Sequence, residues 1–364
     1  MNFAFANKAN TATKELLLLI KIWRHGARCP RYTTGDKALG TSWDLAQGQL
    51  TELGRKQTYE IGKEFRRTYN DFLPNIYNPK QFLVISSELD RTIMSAYYQL
   101  KGIFENTNST ESSFDKENPL VPTVHYLSDF SKEYWIYVID TNHDKLIRVV
   151  NSKALPENKI LIDQSFQKAN KKIEDKFEPL YHELVTKFGA DPDLMWLRRA
   201  SDYIDTWEMA KTHDKKMSNE LSKEAAMLVS EYFQIYFYEG YFGDPKVVKS
   251  STLMFYEWLW SILEGKKKAI ENQTEDSNFL KDLKFIFLSA HNTTIAAYLS
   301  ALGHIPNHFP DLWDSIVIEF YKMNGKFYVR WEYDEKYLFV GSEYTSNGDC
   351  ELESTLDFIK NKIY

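Results

Sequence analysis

Leu16-Leu17-Leu18-Leu19-Ile20-Lys21-Ile22-Trp23-Arg24-His25-Gly26-Ala27-Arg28-Cys29-Pro30 decides how the rest of the chain is read. Its first half is a continuous apolar run, short enough for a strand and apolar enough to be buried on both faces. Its second half is the polar end of that strand, with two arginines bracketing a histidine. Guanidinium forks match the oxygens of a tetrahedral oxyanion and stay charged at any working pH. A histidine held beside a bound phosphate is a candidate nucleophile or acid/base.

Two further runs repeat the grammar. Phe82-Leu83-Val84-Ile85 ends at Ser86-Ser87-Glu88-Leu89-Asp90-Arg91, and Phe285-Ile286-Phe287-Leu288 ends at Ser289-Ala290-His291-Asn292. Each is followed by a helical pattern. Thr51 is an N-cap candidate ahead of Ile61, Phe65 and Tyr69, at i, i+4 and i+8. A helix is expected over Thr92–Phe104, and another from Thr293 that ends at a Gly303 cap. Strand, loop and helix repeated three times predict an α/β fold, a mainly parallel sheet flanked by helices. In such sheets ligands bind beyond the carboxyl ends of the strands, where all three polar motifs fall.

The spacing between Arg91 and His291 is far too long for one crossover. Its helix-forming composition from about Ser165 to Lys268, including the amphipathic run Ala225–Tyr238, predicts a smaller inserted helical lobe. The expected division is 14–125 with 280–364 as the α/β core and 126–279 as a mostly helical cap. Lys266–Asn278 is read as an exposed connection, and the alternation in Ser315–Phe339 as a small antiparallel meander.

Bulk composition narrows the class. The chain of 364 residues is 43% hydrophobic and 26% charged, as in an ordinary globular protein, and its net charge of −6 argues against nucleic acid as a partner. Two cysteines, Cys29 and Cys350, cannot build a disulfide framework or a four-cysteine zinc site, and two thiols are favoured over one bridge. Met1–Thr13 lacks the pattern of a signal peptide, and Leu16–Ile22 is too short to span a bilayer. His304 and His308 have metal-ligand spacing, but Pro306 between them breaks the helix such spacing needs. His125, His143, His182 and His213 have no partner pattern and are read as structural. Trp23 is read as a core aromatic and Cys29 as a packed or substrate-facing thiol.

RHGARCP at Arg24–Pro30, LTELGRKQTYEIG at Leu50–Gly62, SSELDRTIMSA at Ser86–Ala96 and SAHNTTIAAYLSALG at Ser289–Gly303 together resemble the histidine phosphatase superfamily, in its prostatic and lysosomal acid phosphatase branch. Looser similarity runs through Lys246–Gly265. An isolated RHG would be weak; RHGxRxP with a late histidine motif is specific. The resemblance implies a phosphoglycerate mutase-like core and a metal-independent, cofactor-free phosphomonoesterase. On these residues it makes His25 the nucleophile that becomes phosphohistidine, with the Gly26 carbonyl orienting the imidazole. It makes Arg24, Arg28 and Arg91 the clamp on the phosphoryl oxygens, joined by His291. Small phosphomonoesters and inorganic phosphate are the implied ligands, and a homodimer and a secreted, periplasmic or lysosomal compartment are implied by analogy.

The pattern departs at Asn292, where the family carries the Asp that protonates the leaving alkoxide. Asparagine can offer a hydrogen bond but no acid proton, and general acid catalysis is typically worth about 10²–10⁴-fold. Slow turnover of alkyl phosphates is expected, with aryl phosphates suffering less. Asn292-Thr293-Thr294 is also a glycosylation sequon inside the expected site, and an Asp-to-Asn exchange is what a substrate-trapping variant carries, so an introduced change is the favoured reading. Asn108-Ser109-Thr110 and Asn272-Gln273-Thr274 are further sequons. Glu88 is the alternative carboxylate, by analogy with the phosphoglycerate mutases. The competing readings are a non-catalytic phosphoester-binding protein and a phytase or mutase-like member. Fungal phytases usually carry several disulfides, which two cysteines cannot supply. Specificity is expected from the lobe and from Arg31–Trp43.

Overall fold

The computed structural model describes residues 14–32, 37, 39–104, 136–173, 176–190, 196–271, 278–306, 308–341 and 344–363. His125 and the sequons at 108–110 and 272–274 lie outside the described residues.

Among the described residues, one eight-stranded sheet carries the fold. Its strands are β1 (Glu15–Arg24), β2 (Phe82–Ser87), β3 (Tyr137–Ile139), β4 (Phe285–Ala290), β5 (Ser315–Met323), β6 (Lys326–Tyr333), β7 (Lys336–Leu338) and β8 (Asp349–Glu351). The order is β3-β2-β4-β1-β5-β6-β7, with β8 paired to β6. The β3–β2, β2–β4 and β4–β1 pairs are parallel, and the expected meander extends the same sheet antiparallel from β1. The fold is α/β, with helices on both faces.

The apolar runs are strands because both faces are buried, and strand alternation divides their side chains. Leu19, Trp23, Phe82, Val84, Phe285 and Phe287 pack with Phe65 and Leu100 from helices α1 (Glu52–Thr68) and α2 (Asp90–Phe104). Leu18, Ile20, Ile22, Leu83, Ile85, Ile286 and Leu288 face the other way, against helices contributed mainly by the long insertion. Thr51 caps α1, accepting from the Gly54 N–H.

Register lines up the three polar motifs. Ser289 of β4 pairs with Trp23 of β1 on one side and with Ser86 of β2 on the other. The segments beyond the three strand ends therefore emerge at one edge, side by side. The His25 N–H donates to the Ala290 carbonyl at 3.1 Å, which ties two of the motifs directly.

Between β3 and β4 lie α3 (Asn158–Ile173), α4 (Glu178–Thr186), α5 (Trp196–Thr212), α6 (Lys223–Gln234), a π-helical stretch Ile235–Tyr241, α7 (Pro245–Ile270) and α8 (Asn278–Asp282). The run Ala225–Tyr238 thus divides between α6 and the π-helix. Strand β3 falls in the span expected to be mostly helical; with three residues it has no period to read. Lys266, expected in an exposed connection, is 2% exposed within α7. Its ammonium donates to the carbonyls of Leu280, Lys281 and Leu283 at 2.8, 2.9 and 2.6 Å. The end of α8 supplies acceptors that make a buried lysine tolerable. Helix α9 (Asn292–Leu302) comes directly after β4 and stops at Gly303, whose φ of 74° is the left-handed cap. Helix α10 (Leu352–Ile363) closes the chain. Among the described residues no helix is long and apolar enough to cross a membrane.

Candidate active site

The loop after β1 is pinned from several sides. The Gly26 N–H donates to Ser95 Oγ of α2 at 3.1 Å and the Ala27 N–H to Gln57 Oε1 of α1 at 2.9 Å. Two glycines let the loop and α1 touch. A Cβ on Gly26 would lie 2.6 Å from the Gly54 carbonyl oxygen, and one on Gly54 would lie 2.0 Å from that of Ala27. Both clashes are with backbone, which cannot rotate away. Gly54→Ala should therefore destabilise the fold by about 1–3 kcal/mol. A urea midpoint shift equivalent to less than about 0.5 kcal/mol would show that the contact yields more easily than packed backbone should.

His25 is 3% exposed, and its Nδ1 lies 2.9 Å from the Gly26 carbonyl oxygen. A carbonyl only accepts, so Nδ1 carries the proton and Nε2 keeps its lone pair. Burial, then the charges of Arg91, Arg28, His291 and Arg24, push the His25 pKa well below the usual imidazole range. The ring is a neutral nitrogen base with one nitrogen available for bonding.

His25 lines a cavity of about 140 Å³ together with Arg28, Arg91, Arg148 and His291. Asn151, Asn292 and Thr293 continue the polar wall, and Tyr236, Phe237 and Tyr241 of the π-helical stretch form an aromatic one. Arg31 lines the cavity as well. Among the described residues no carboxylate lines this cavity. Burial and the neighbouring Arg28 and Arg31 push Arg91 down to about 9, still charged at neutral pH.

His291 sits 5.6 Å from His25, ring centre to ring centre. Its Nε2 lies 2.9 Å from Ser87 Oγ, which lies 2.9 Å from Thr92 Oγ1. Burial and Arg91, Arg148, Arg28 and Arg24 hold its pKa well below the usual range. Asn292 opens α9, with its Oδ1 accepting from the Thr293 N–H at 2.8 Å.

Two predicted residues sit elsewhere. Arg24 does not line this cavity. Its Nη1 donates to the Pro310 carbonyl at 2.7 Å, its guanidinium stacks 5.0 Å from the Phe309 ring, and it lines a neighbouring cavity with Glu208 and Asp311. Glu88 also points away, with Oε2 accepting from the Thr141 N–H at 2.8 Å.

Sequence reasoning did not single out Arg148 or Asp205, and named Arg31 only as the start of the specificity segment Arg31–Trp43. Arg148 is presented by a turn clamped onto α9: Thr294 Oγ1 donates to the Ile147 carbonyl at 2.5 Å and the Tyr298 hydroxyl to that of Leu146. Asp144 Oδ1 accepts from the N–H groups of Leu146 and Ile147 at 3.1 and 2.7 Å, completing the turn. The signal was Tyr-Val-Ile-Asp at 137–140, a fourth apolar run ending in polar residues. Asp205 of α5 pairs with Arg28 at 2.6 Å and lies 3.5 Å from Arg31 Nε.

The remaining histidines and the cysteines have ordinary surroundings. His213 bridges Thr51 Oγ1 and the Met209 carbonyl at 2.7 and 2.6 Å, while His143 pairs with Asp140 and His182 lies near Glu178 on the surface. His308 faces Asp334 from a loop. Trp23 is buried, packed edge-on against Phe287. Cys29 and Cys350 are buried and not joined to each other.

Comparison with known proteins agrees with this architecture. The chain is 27% identical to prostatic acid phosphatase of Bos taurus over 326 residues, which is 88% of this chain and 77% of that protein. It is 25% identical to lysosomal acid phosphatase of Xenopus laevis over 293 residues, 80% of this chain and 62% of that protein. Among solved structures, Hafnia alvei phytase in complex with tartrate superposes with a TM-score of 0.69 at 13% identity, over 98% of both chains, a likeness of fold alone. The profile of the histidine phosphatase superfamily, branch 2, matches residues 15–334, and it is to this family that the chain belongs.

Proposed function

We propose that the chain is a phosphomonoesterase that works through a phosphohistidine on His25. One observation carries the reading. His25 has its Nδ1 tied to the Gly26 carbonyl, and it lines a cavity whose other charged residues, among the described ones, are cationic. Arg28 and Arg91 neutralise the phosphoryl oxygens, His291 adds a further contact, and Arg148 extends the grip. Nε2 attacks phosphorus as the ester oxygen departs; water then attacks the phosphohistidine and releases inorganic phosphate. Preorganised charge and in-line placement are what phosphoryl transfer chiefly needs. Arg24 acts from behind, by holding the loop on Pro310 and by its charge.

Asn292 occupies the position from which a leaving group would be protonated, so alkyl phosphates are turned over slowly and esters with acidic leaving groups faster. The span 126–279 contributes Asp205, Tyr236 and Tyr241, which is why we take it as a cap over the core. The lysosomal relative supports the expected secretory or lysosomal compartment. A relationship to phytase structures at 13% identity supplies no substrate.

Asn292 is also what favours the second reading, a protein that binds phosphoesters without turning them over. Rapid alkaline quench after mixing with 4-nitrophenyl phosphate, followed by mass analysis of the peptide containing His25, separates the two. An acid-labile gain of one phosphoryl group on His25 is expected, with a matching burst of nitrophenol. No phosphoryl peptide and no burst would leave only the binder.

A further inference from the structure

Arg28 and Arg31 stand together at the cavity although their charges repel, and one carboxylate reaches both. Asp205, 5% exposed on α5, accepts from Arg28 Nη2 at 2.6 Å through Oδ1 and from Arg28 Nη1 at 3.1 Å through Oδ2. Its Oδ2 also accepts the Arg31 backbone N–H at 3.0 Å. Burial opposes a charge here, but Arg28 and Arg31 outweigh it and hold the carboxyl well below the usual carboxylate range.

The hydrogens of Arg28 can be counted. A guanidinium has five N–H groups in a fixed plane. Two go to Asp205, and a third goes from Nη1 to the Cys29 carbonyl at 2.9 Å. Nε has no partner, and Nη2 keeps one hydrogen. Those two N–H groups point the same way along one edge of the plane. That edge is the second bidentate fork of the guanidinium, with the spacing of two oxygens on one phosphorus.

We propose that Asp205 is the positioning residue of the anion grip: by occupying the end of Arg28 it turns the Nε–Nη2 edge towards the phosphoryl group. This rests on the reading of the cavity as a phosphoryl site. It gives the insertion a defined task, since Asp205 is the residue through which α5 sets the orientation of a side chain on the β1 loop. Asp205 touches no substrate; its effect passes through Arg28.

The test is a double-mutant cycle of Asp205→Asn and Arg28→Ala, read as inorganic phosphate affinity by calorimetry and as kcat and KM for 4-nitrophenyl phosphate. Asp205→Asn should weaken phosphate binding by about 10- to 100-fold, the scale of a lost charged hydrogen-bonded contact. In the Arg28→Ala background the same substitution should change affinity by less than about twofold. Equal effects in both backgrounds, or phosphate bound by Asp205→Asn as tightly as by the parent, would overturn the proposal. Should Asp205→Asn not fold, Asp205→Glu keeps the charge but moves the fork by one methylene. It should then raise KM with an unchanged melting temperature, and an unchanged KM would count against the proposal. Phosphate binding without turnover in the parent would remove the phosphatase reading while the binding cycle still judged Asp205; no phosphate binding at all would remove both.

Discussion

Replacing His25 with alanine should lower phosphomonoester turnover by about 10⁶-fold, the scale on which removal of a covalent nucleophile acts. Among the described residues the geometry leaves no substitute. His291, the other imidazole in the cavity, has its Nε2 held by Ser87, and the remaining charged groups lining it are guanidiniums, which are not nucleophiles. Phosphate affinity should change by only a few-fold, because the ring removed is neutral and Arg28, Arg91 and Arg148 remain. The pH dependence carries a second expectation. The pKa of His25 is lowered, so in the free enzyme the ring stays neutral as the pH falls through 6.5 and becomes protonated only well below it. The kcat/KM of the parent should show no loss near pH 6.5. A phosphoryl group still bound to the His25→Ala protein would mean that the nucleophile lies elsewhere.

The residues explain why some of this was readable and some was not. Strands β1, β2 and β4 advertise themselves because burial on both faces demands continuous apolar runs. Their polar ends line up from the sequence pattern alone, and the Trp23–Ser289–Ser86 register places them so. Adjacency to His25 in the chain does not put Arg24 on the same cavity wall. Successive residues of an extended strand point to opposite sides, so the last residue of β1 turns away onto Pro310 and Phe309. Arg148 was hidden because β3 is three residues long and its turn is built by tertiary contacts from Thr294 and Tyr298. Asp205 was hidden for another reason. Asp202, Asp205 and Glu208 share one helix, and only packing decides that Asp205 meets Arg28. Lys266 shows the same limit: a lysine in a polar segment reads as exposed until the carbonyls that surround it are known.

Asn292→Asp should raise turnover of an alkyl phosphate by about 10²–10⁴-fold, the usual worth of a placed general acid. Turnover of an aryl phosphate with an acidic leaving group should change far less, since that group departs without a proton. Asn292 lines the cavity at the first position of α9. No other carboxyl can compete for the general-acid role: among the described residues none lines the cavity, and Glu88 is engaged at Thr141. The new carboxylate would meet the positive end of α9 and the nearby guanidiniums, both of which favour its charged form. It would therefore hold a proton only when the pH falls or when a phosphoryl dianion offsets those charges. The gain should accordingly grow towards acidic pH. The same added charge should weaken inorganic phosphate binding, so the exchange trades affinity for turnover. Alkyl phosphate turnover left unchanged by Asn292→Asp across pH 4–7 would show that leaving-group protonation is not what limits this chain.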